Sequence, residues 1–381
     1  MTRKIAKAVI LLATLIAVLY LTPPGLSDGY SLSYKIIGDP DGSAEYTLNV
    51  AVPQSLYEYY REKSHKQIFI EDFAIFVTPN ALKPIANKLL EIYQNDEESF
   101  ANGVLMIVHQ IPYTATQPPK YPIETLVENS GDCDLFSYVA ASIMKAGGLD
   151  VVLLYYEKQA HMNIGVHLSH APKDARTPAF YVTHKGVRYY IAECTGEGLE
   201  GGWRVGECPQ DLRHKEAYII TLKNCEKWSP GQVSASYAPL SPSTITLTAS
   251  ATFVFQGSSV TFSGQLSPNM QNKTVTIYVK IGGSPWNMLA TVTTDFNGAF
   301  TYVLNANEAG SYYIRASWFG DSNYTGADSP IITVTVLSGF FIAFLVVIIA
   351  IICAGTVAYL MTRQGYSGVE EAKIPEIPPL K

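Results

Sequence analysis

The chain has 381 residues, enough for two or three domains. Only 16% are charged and 48% are hydrophobic, a balance that points to membrane segments, since soluble chains carry about 25% charge. A net charge of −6 lacks the basic stripe of a nucleic-acid binder, an aromatic fraction of 12% excludes general disorder, and five Cys are too few for a small disulfide scaffold.

The N-terminus carries Arg3, Lys4 and Lys7 before an uncharged apolar run over 8–21, which predicts a signal peptide or an uncleaved signal anchor within residues 1–27. Residues 28–78 read as β-rich, with strands over 30–37, 44–52 and 68–77. Residues 80–111 read as two helices. Asn80 can cap the first, and Asp96, Glu97 and Glu98 fit the first turn of the second, where the dipole favours acids. Pro118, Pro119 and Pro122 mark a loop. Over 134–146, Leu135, Phe136, Val139, Ala140, Ile143 and Met144 fall on one helical face, and Gly147-Gly148 stops the helix. Strands follow over 151–156 and 161–168. The second alternates, with Met162, Ile164, Val166 and Leu168 on one face and His161, Asn163, Gly165 and His167 on the other. Runs over 180–183 and 187–194 flank His184-Lys185-Gly186 as a hairpin. Helices followed by an antiparallel sheet predict an α+β domain over 28–235.

A linker over 236–243 contains Pro239 and Pro242. Short alternating runs with few charges over 244–336 predict an all-β sandwich of about seven strands. The segment from Ala309-Gly310-Ser311-Tyr312-Tyr313 to Trp318-Phe319-Gly320-Asp321-Ser322-Asn323-Tyr324 resembles the late strands of prokaryotic immunoglobulin-like repeats, which implies a spacer or adhesive module. Residues 339–361 carry no charge and, at 1.5 Å per residue, measure about 35 Å, which predicts a C-terminal transmembrane helix. Arg363 follows it, so the positive-inside rule places residues 28–336 outside the cell membrane and the tail 362–381 in the cytoplasm. The sequons at Asn272 and Asn323 fit that orientation.

The candidate chemistry centres on Cys133, in Gly131-Asp132-Cys133-Asp134 at the start of a predicted helix. A helix N-terminus stabilises a thiolate, the attacking form. Such a nucleophile needs a base and a group that orients the base. His161, 28 residues on, heads a strand, and Glu193, 32 further, ends a neighbouring one. The plain alternatives are a core cysteine, a strand-edge histidine and a solvated glutamate. His161, His167 and His170 do not suggest a metal site, because His161 and His167 are about 20 Å apart along a strand. No cofactor is expected.

The motifs Ile111-Pro112-Tyr113, Tyr121-Pro122-Ile123-Glu124-Thr125-Leu126, Gly131-Asp132-Cys133-Asp134, Ala146-Gly147-Gly148-Leu149, His161-Met162-Asn163-Ile164-Gly165-Val166 and Tyr189-Tyr190-Ile191-Ala192-Glu193-Cys194-Thr195-Gly196 occur in this order. Together they resemble the transglutaminase-like superfamily, in particular its archaeal membrane-associated members, over a core of residues 95–210. The resemblance implies a papain-like fold with Cys133 as nucleophile, His161 as base and Glu193 as orienting acid. Leu135 and Cys194 stand where relatives often carry an acid and a threonine. The backbone N–H of Cys133, with Gln110 or Tyr113, is a candidate oxyanion donor. Trp203 can line a cleft or pack in the core. Cys208 and Cys225 are disulfide candidates in an external domain.

Two functions follow. One is a cell-surface thiol enzyme acting on amide bonds of envelope proteins or peptides, as peptidase, amidase or cross-linking acyltransferase. The other is a catalytically silent adhesion or structural protein of the envelope.

Overall fold

The structure is a computed structural model and describes residues 29–38, 44–94, 96–196 and 202–366. The N-terminal segment 1–27 and the tail beyond 366 lie outside these residues. The first domain opens with an antiparallel pair, β1 (Tyr30–Ile37) and β2 (Glu45–Val52), in which Tyr30 faces Val52 and Ile37 faces Glu45. Helices follow: α1 (Gln54–Glu62), α2 (Pro79–Tyr93), α3 (Glu97–Val108), α4 (Pro122–Glu128) and α5 (Cys133–Ala146). Strands β3 (Asp150–Tyr156), β4 (His161–His167), β5 (Tyr181–His184), β6 (Val187–Ala192) and β7 (Tyr218–Thr221) form an antiparallel sheet in the order β5-β6-β4-β3-β7. The short β8 (Ser234–Ser236) returns to pair with β2.

Helix α5 lies on this sheet. Its Val139 and Ile143 are fully buried in one cluster with Leu153 of β3 and Ile164 of β4. Each such side chain contributes roughly 1.5–3 kcal/mol of apolar burial. The opposite sheet face is covered too, where Leu154, Tyr189, Ile191 and Leu212 form a second cluster. The double cover explains why β4 is buried from Met162 to Val166 despite its alternating sequence.

Two segments depart from the sequence reading. Residues 68–77 are no strand: Asp72 Oδ2 accepts the backbone N–H groups of Ile68 and Phe69, both at 2.9 Å, and winds Ile70–Phe76 into a 3₁₀ turn. Residues 54–62, inside the stretch read as β-rich, are helix α1.

The second domain is a two-sheet sandwich built from β9 (Thr244–Ala249), β10 (Phe253–Phe255), β11 (Ser259–Ser267), β12 (Thr274–Ile281), β13 (Asn287–Thr293), β14 (Ala299–Asn305), β15 (Gly310–Trp318), β16 (Ala327–Asp328) and β17 (Ile332–Leu337). One sheet runs β10-β17-β15-β12-β13, with β16 on β15, and the other runs β14-β11-β9. Phe262, Ile277, Ile314 and Val334 are fully buried between them.

Helix α1 docks the two domains. Ser55, Glu58 and Glu62 fall at i, i+3 and i+7, one helical face, and each meets the sandwich. Ser55 N donates to Asp328 Oδ2 at 2.8 Å, which places a carboxylate on the helix N-terminus. The Ser55 and Ser317 hydroxyls are 2.7 Å apart. Arg315 is 3% exposed. It donates to Glu58 Oε2 at 2.5 Å and to the Ser55 carbonyl at 3.2 Å, and it lies 4.2 Å over the Trp286 ring. Glu62 accepts from Lys280 Nζ at 2.8 Å and from Trp286 N at 2.9 Å. The connecting segment is pinned as well, since Ser241 N donates to Asn323 O and Thr325 N to Ser241 O, both at 2.8 Å.

The fold class expected from the sequence included a C-terminal transmembrane helix at 339–361, and that expectation is corrected. Gly339–Tyr366 does form one helix, α6, but among the described residues no helix is long and apolar enough to cross a membrane.

Candidate active site

Cys133 is the first residue of α5 and is 9% exposed. It is reached from a cleft of about 620 Å3 lined also by His65, Tyr113, Asp132, Asp134 and His161. The turn before it is tight. A Cβ at Gly131 would come within 3.0 Å of Phe136 and 3.1 Å of Leu135. Glycine there lets Thr114 N reach the Gly131 carbonyl at 2.6 Å, which draws Tyr113 to the cleft. Ser137 Oγ donates to the Cys133 carbonyl at 2.7 Å and reaches Met162 O at 3.2 Å, so the helix that Cys133 begins is tied to the strand that begins at His161.

The structure brings Cys133, His161 and Glu193 together. His161 Nε2 lies 3.0 and 3.2 Å from the two Glu193 oxygens, and His161 lines the same cleft as Cys133. Burial alone would lower the imidazole, but Cys133 and Glu193 outweigh it and raise His161 to about 10. At neutral pH this ring is an imidazolium beside the sulfur. Glu193 is fully buried. Burial pushes its carboxyl up, and hydrogen bonds from His161, Thr195 and Asn163 more than offset that and hold it below the usual range. An ionised carboxylate in such a site needs donors for its lone pairs, and these are supplied by Asn163 Nδ2 at 3.0 Å, Thr195 N at 2.9 Å and Thr195 Oγ1 at 2.6 Å.

Sequence reasoning missed three supporting residues. Asn163 was detectable in principle: β4 and β6 pair Ile164 with Ala192, so 163 neighbours 193 on the same face. Thr195 stands two residues past Glu193 and closes on its carboxylate. His109 gives no local signal. It caps the C-terminus of α3, 84 residues from Glu193, and its Nε2 lies 3.0 Å from the Glu193 backbone carbonyl. Burial lowers the His109 imidazole, so the neutral ring donates this bond.

Of the two oxyanion candidates, Tyr113 lines the cleft. Partial burial and the charges at Cys133, Asp132 and Asp134 raise its hydroxyl, so it stays a donor. Gln110 does not reach the cleft. Its Oε1 accepts from Lys35 N at 2.9 Å, and its Nε2 donates to Lys35 O and Met106 O.

Cys208 and Cys225 do not form the disulfide considered from the sequence. Both are free thiols, and they belong to separate hydrophobic clusters, Cys225 to the main core and Cys208 to the cluster behind the sheet. Trp203 is half-buried and is not among the described lining of the cleft. His167 and His170 bond backbone carbonyls, at Arg188 and Ala171. The sequon residues Asn272 and Asn323 are both exposed.

Asp134 is a further feature of the cleft. Burial first, then the hydrogen bond and charge of Asp132, push its carboxyl up to about 8. The folded state therefore keeps a proton that the unfolded chain loses near pH 4. Stability falls as pH rises from about 4 to about 8 and levels above that. Asp134→Asn removes this titration. The variant should gain on the parent across the same window, by up to several kcal/mol at about 1.4 kcal/mol per unit. Denaturant midpoints at acid and alkaline pH check this, and an equal difference at both ends would contradict it.

Residues 245–337 match the family model of the bacterial Ig-like domain (group 3), so the second domain is Ig-like. The match covers the sandwich alone. No curated protein matches the chain.

Proposed function

We propose that the chain is a transglutaminase-like thiol enzyme acting on amide bonds, and the observation that carries this is that Cys133 and His161 share one cleft while a buried, fully satisfied Glu193 holds the His161 ring from behind. The ordered motifs from Ile111 to Gly196 support the same reading. The Cys133 thiolate attacks the amide carbonyl carbon, and the carbonyl oxygen takes the electron pair as an oxyanion. The Cys133 N–H and the Tyr113 hydroxyl, both on this cleft, are the donors we assign to it. His161 gives its proton to the nitrogen as the C–N bond breaks, which releases the amine and leaves a thioester. A second nucleophile, water or a primary amine, loses its proton to His161 and attacks the thioester, and the Cys133 thiolate leaves. Glu193 keeps the ring oriented and stays ionised throughout.

The substrate we propose is a protein or peptide of the cell envelope, met outside the cell. The bacterial Ig-like module and the exposed sequons support that setting. Incubating the protein with envelope material and searching by mass spectrometry for cleaved or newly joined amide bonds tests the function. New products that depend on Cys133 are the expected result. An unchanged substrate pool across soluble and particulate fractions would instead favour the silent structural reading.

A further inference from the structure

We infer that the cleft between the two domains is a binding site for a neutral saccharide. This cleft measures about 800 Å3, larger than the one around Cys133. One wall comes from α2 and residues 228–235, and the other from residues 272–276 and 318–322 of the Ig-like domain. Ligand sites favour such domain boundaries.

The lining selects the ligand class. Trp228 is 49% exposed on the cleft. An open indole is a flat apolar face, the surface on which the C–H side of a pyranose stacks, and it is rigid enough to bind at low entropic cost. Around it Asn87, Gln232, Thr291 and Ser322 are exposed and present amide and hydroxyl groups, both donors and acceptors. The four charged residues in the wall cancel in pairs, Lys88 with Glu91 at 2.9 Å and Lys273 with Asp321 at 2.7 Å. No net charge is left to select an anion or a cation. Of the other large apolar side chains on the lining, Trp318 is buried in the sandwich, 3% exposed, and Met288 and Phe319 are half-buried, so Trp228 is the open apolar face of the cleft. One stacking platform ringed by neutral polar groups fits a sugar.

The saccharide has two possible sources with the same chemistry: a free envelope polymer, or a glycan carried by this chain at Asn272, which lines the same cleft. The full chain is made in a glycosylating host and in a non-glycosylating one. Each preparation is titrated with neutral tetrasaccharides of glucose, mannose and N-acetylglucosamine, and indole fluorescence is followed. Thr274→Ala removes the sequon without placing a new side chain at Asn272, whose φ is 58°. Saturable binding of one tetrasaccharide to both wild-type preparations, weakened about tenfold or more by Trp228→Ala, supports the site with a free polymer as ligand. Binding to the unglycosylated protein and to Thr274→Ala, but not to protein whose mass shows a glycan at Asn272, supports the site with the tethered glycan as occupant. Absence of binding by every unglycosylated form at millimolar sugar overturns the proposal, as does binding that Trp228→Ala leaves intact or preferential binding of a peptide control. These outcomes do not depend on Cys133, so the thiol chemistry stands or falls separately.

Discussion

Replacing Cys133 or His161 by Ala should reduce turnover by about a million-fold, and Glu193→Gln by about ten thousand-fold, the pattern of a triad in which the acid orients and the base transfers the proton. The geometry sets this order. His161 stands between the other two, whereas Glu193 acts only through the ring it holds at 3.0 Å. Glu193→Gln also presents an amide N–H or a neutral oxygen to a network of donors from Asn163 and Thr195, so the ring loses its ionic partner and its orientation together. Cys133→Ala should leave stability within about 1–2 kcal/mol, because only one sulfur is removed. Turnover should fall as pH rises through about 10, where His161 loses the proton that it must give to the leaving amine. Rates on any identified substrate check all three variants, and a Cys133→Ala protein that keeps its activity would end the thiol mechanism.

The second large effect concerns the domain interface. Arg315→Ala should cost about 3–5 kcal/mol, because removing one partner of a buried ion pair leaves the other uncompensated. Here the orphaned groups are the Glu58 carboxylate and the Ser55 carbonyl, and the Trp286 face loses its stacked guanidinium. All of these meet on α1, so the loss should spread into the first domain. Calorimetry of the parent should give one coupled transition. The variant should separate into two, with the sandwich and the helical domain melting apart. A change below about 1 kcal/mol with a single transition retained would show that the domains are held together by other contacts.

The site was more legible than the scaffold that supports it. Cys133, His161 and Glu193 sit in short ordered motifs, and the alternation of β4 and the hairpin after it already placed two of them at strand ends. The tertiary partners were hidden for a physical reason. His109 serves Glu193 through a backbone carbonyl, and a backbone carbonyl leaves no trace in residue type. Helix α1 was unreadable because three Tyr in Gln54–Glu62 mimic a strand composition, while the polar residues on its docking face match groups on β15 and β16 more than 200 positions away. The turn at Ile70–Phe76 was misread because β-branched and aromatic residues dominate it, yet one carboxylate, Asp72, takes two successive N–H groups and closes the chain on itself. At the C-terminus an uncharged run was read as a complete span, whereas among the described residues no helix is long and apolar enough to cross a membrane.

The central claim is that His161 and Glu193 activate one thiol among the four of the first domain. The measurement that tests it most directly is the rate of alkylation of each cysteine by iodoacetamide near neutral pH, mapped by mass spectrometry in the parent and in His161→Ala. Cys194, Cys208 and Cys225 are buried, and burial raises the Cys194 and Cys208 thiols, so they should react slowly in both proteins. Cys133 should react fastest in the parent and slow by about a hundredfold or more in His161→Ala, since the thiolate is the reacting form and the imidazolium stabilises it. A Cys133 that reacts no faster than the buried thiols, or at the same rate with and without His161, would contradict the assignment of this cleft as a thiol active site.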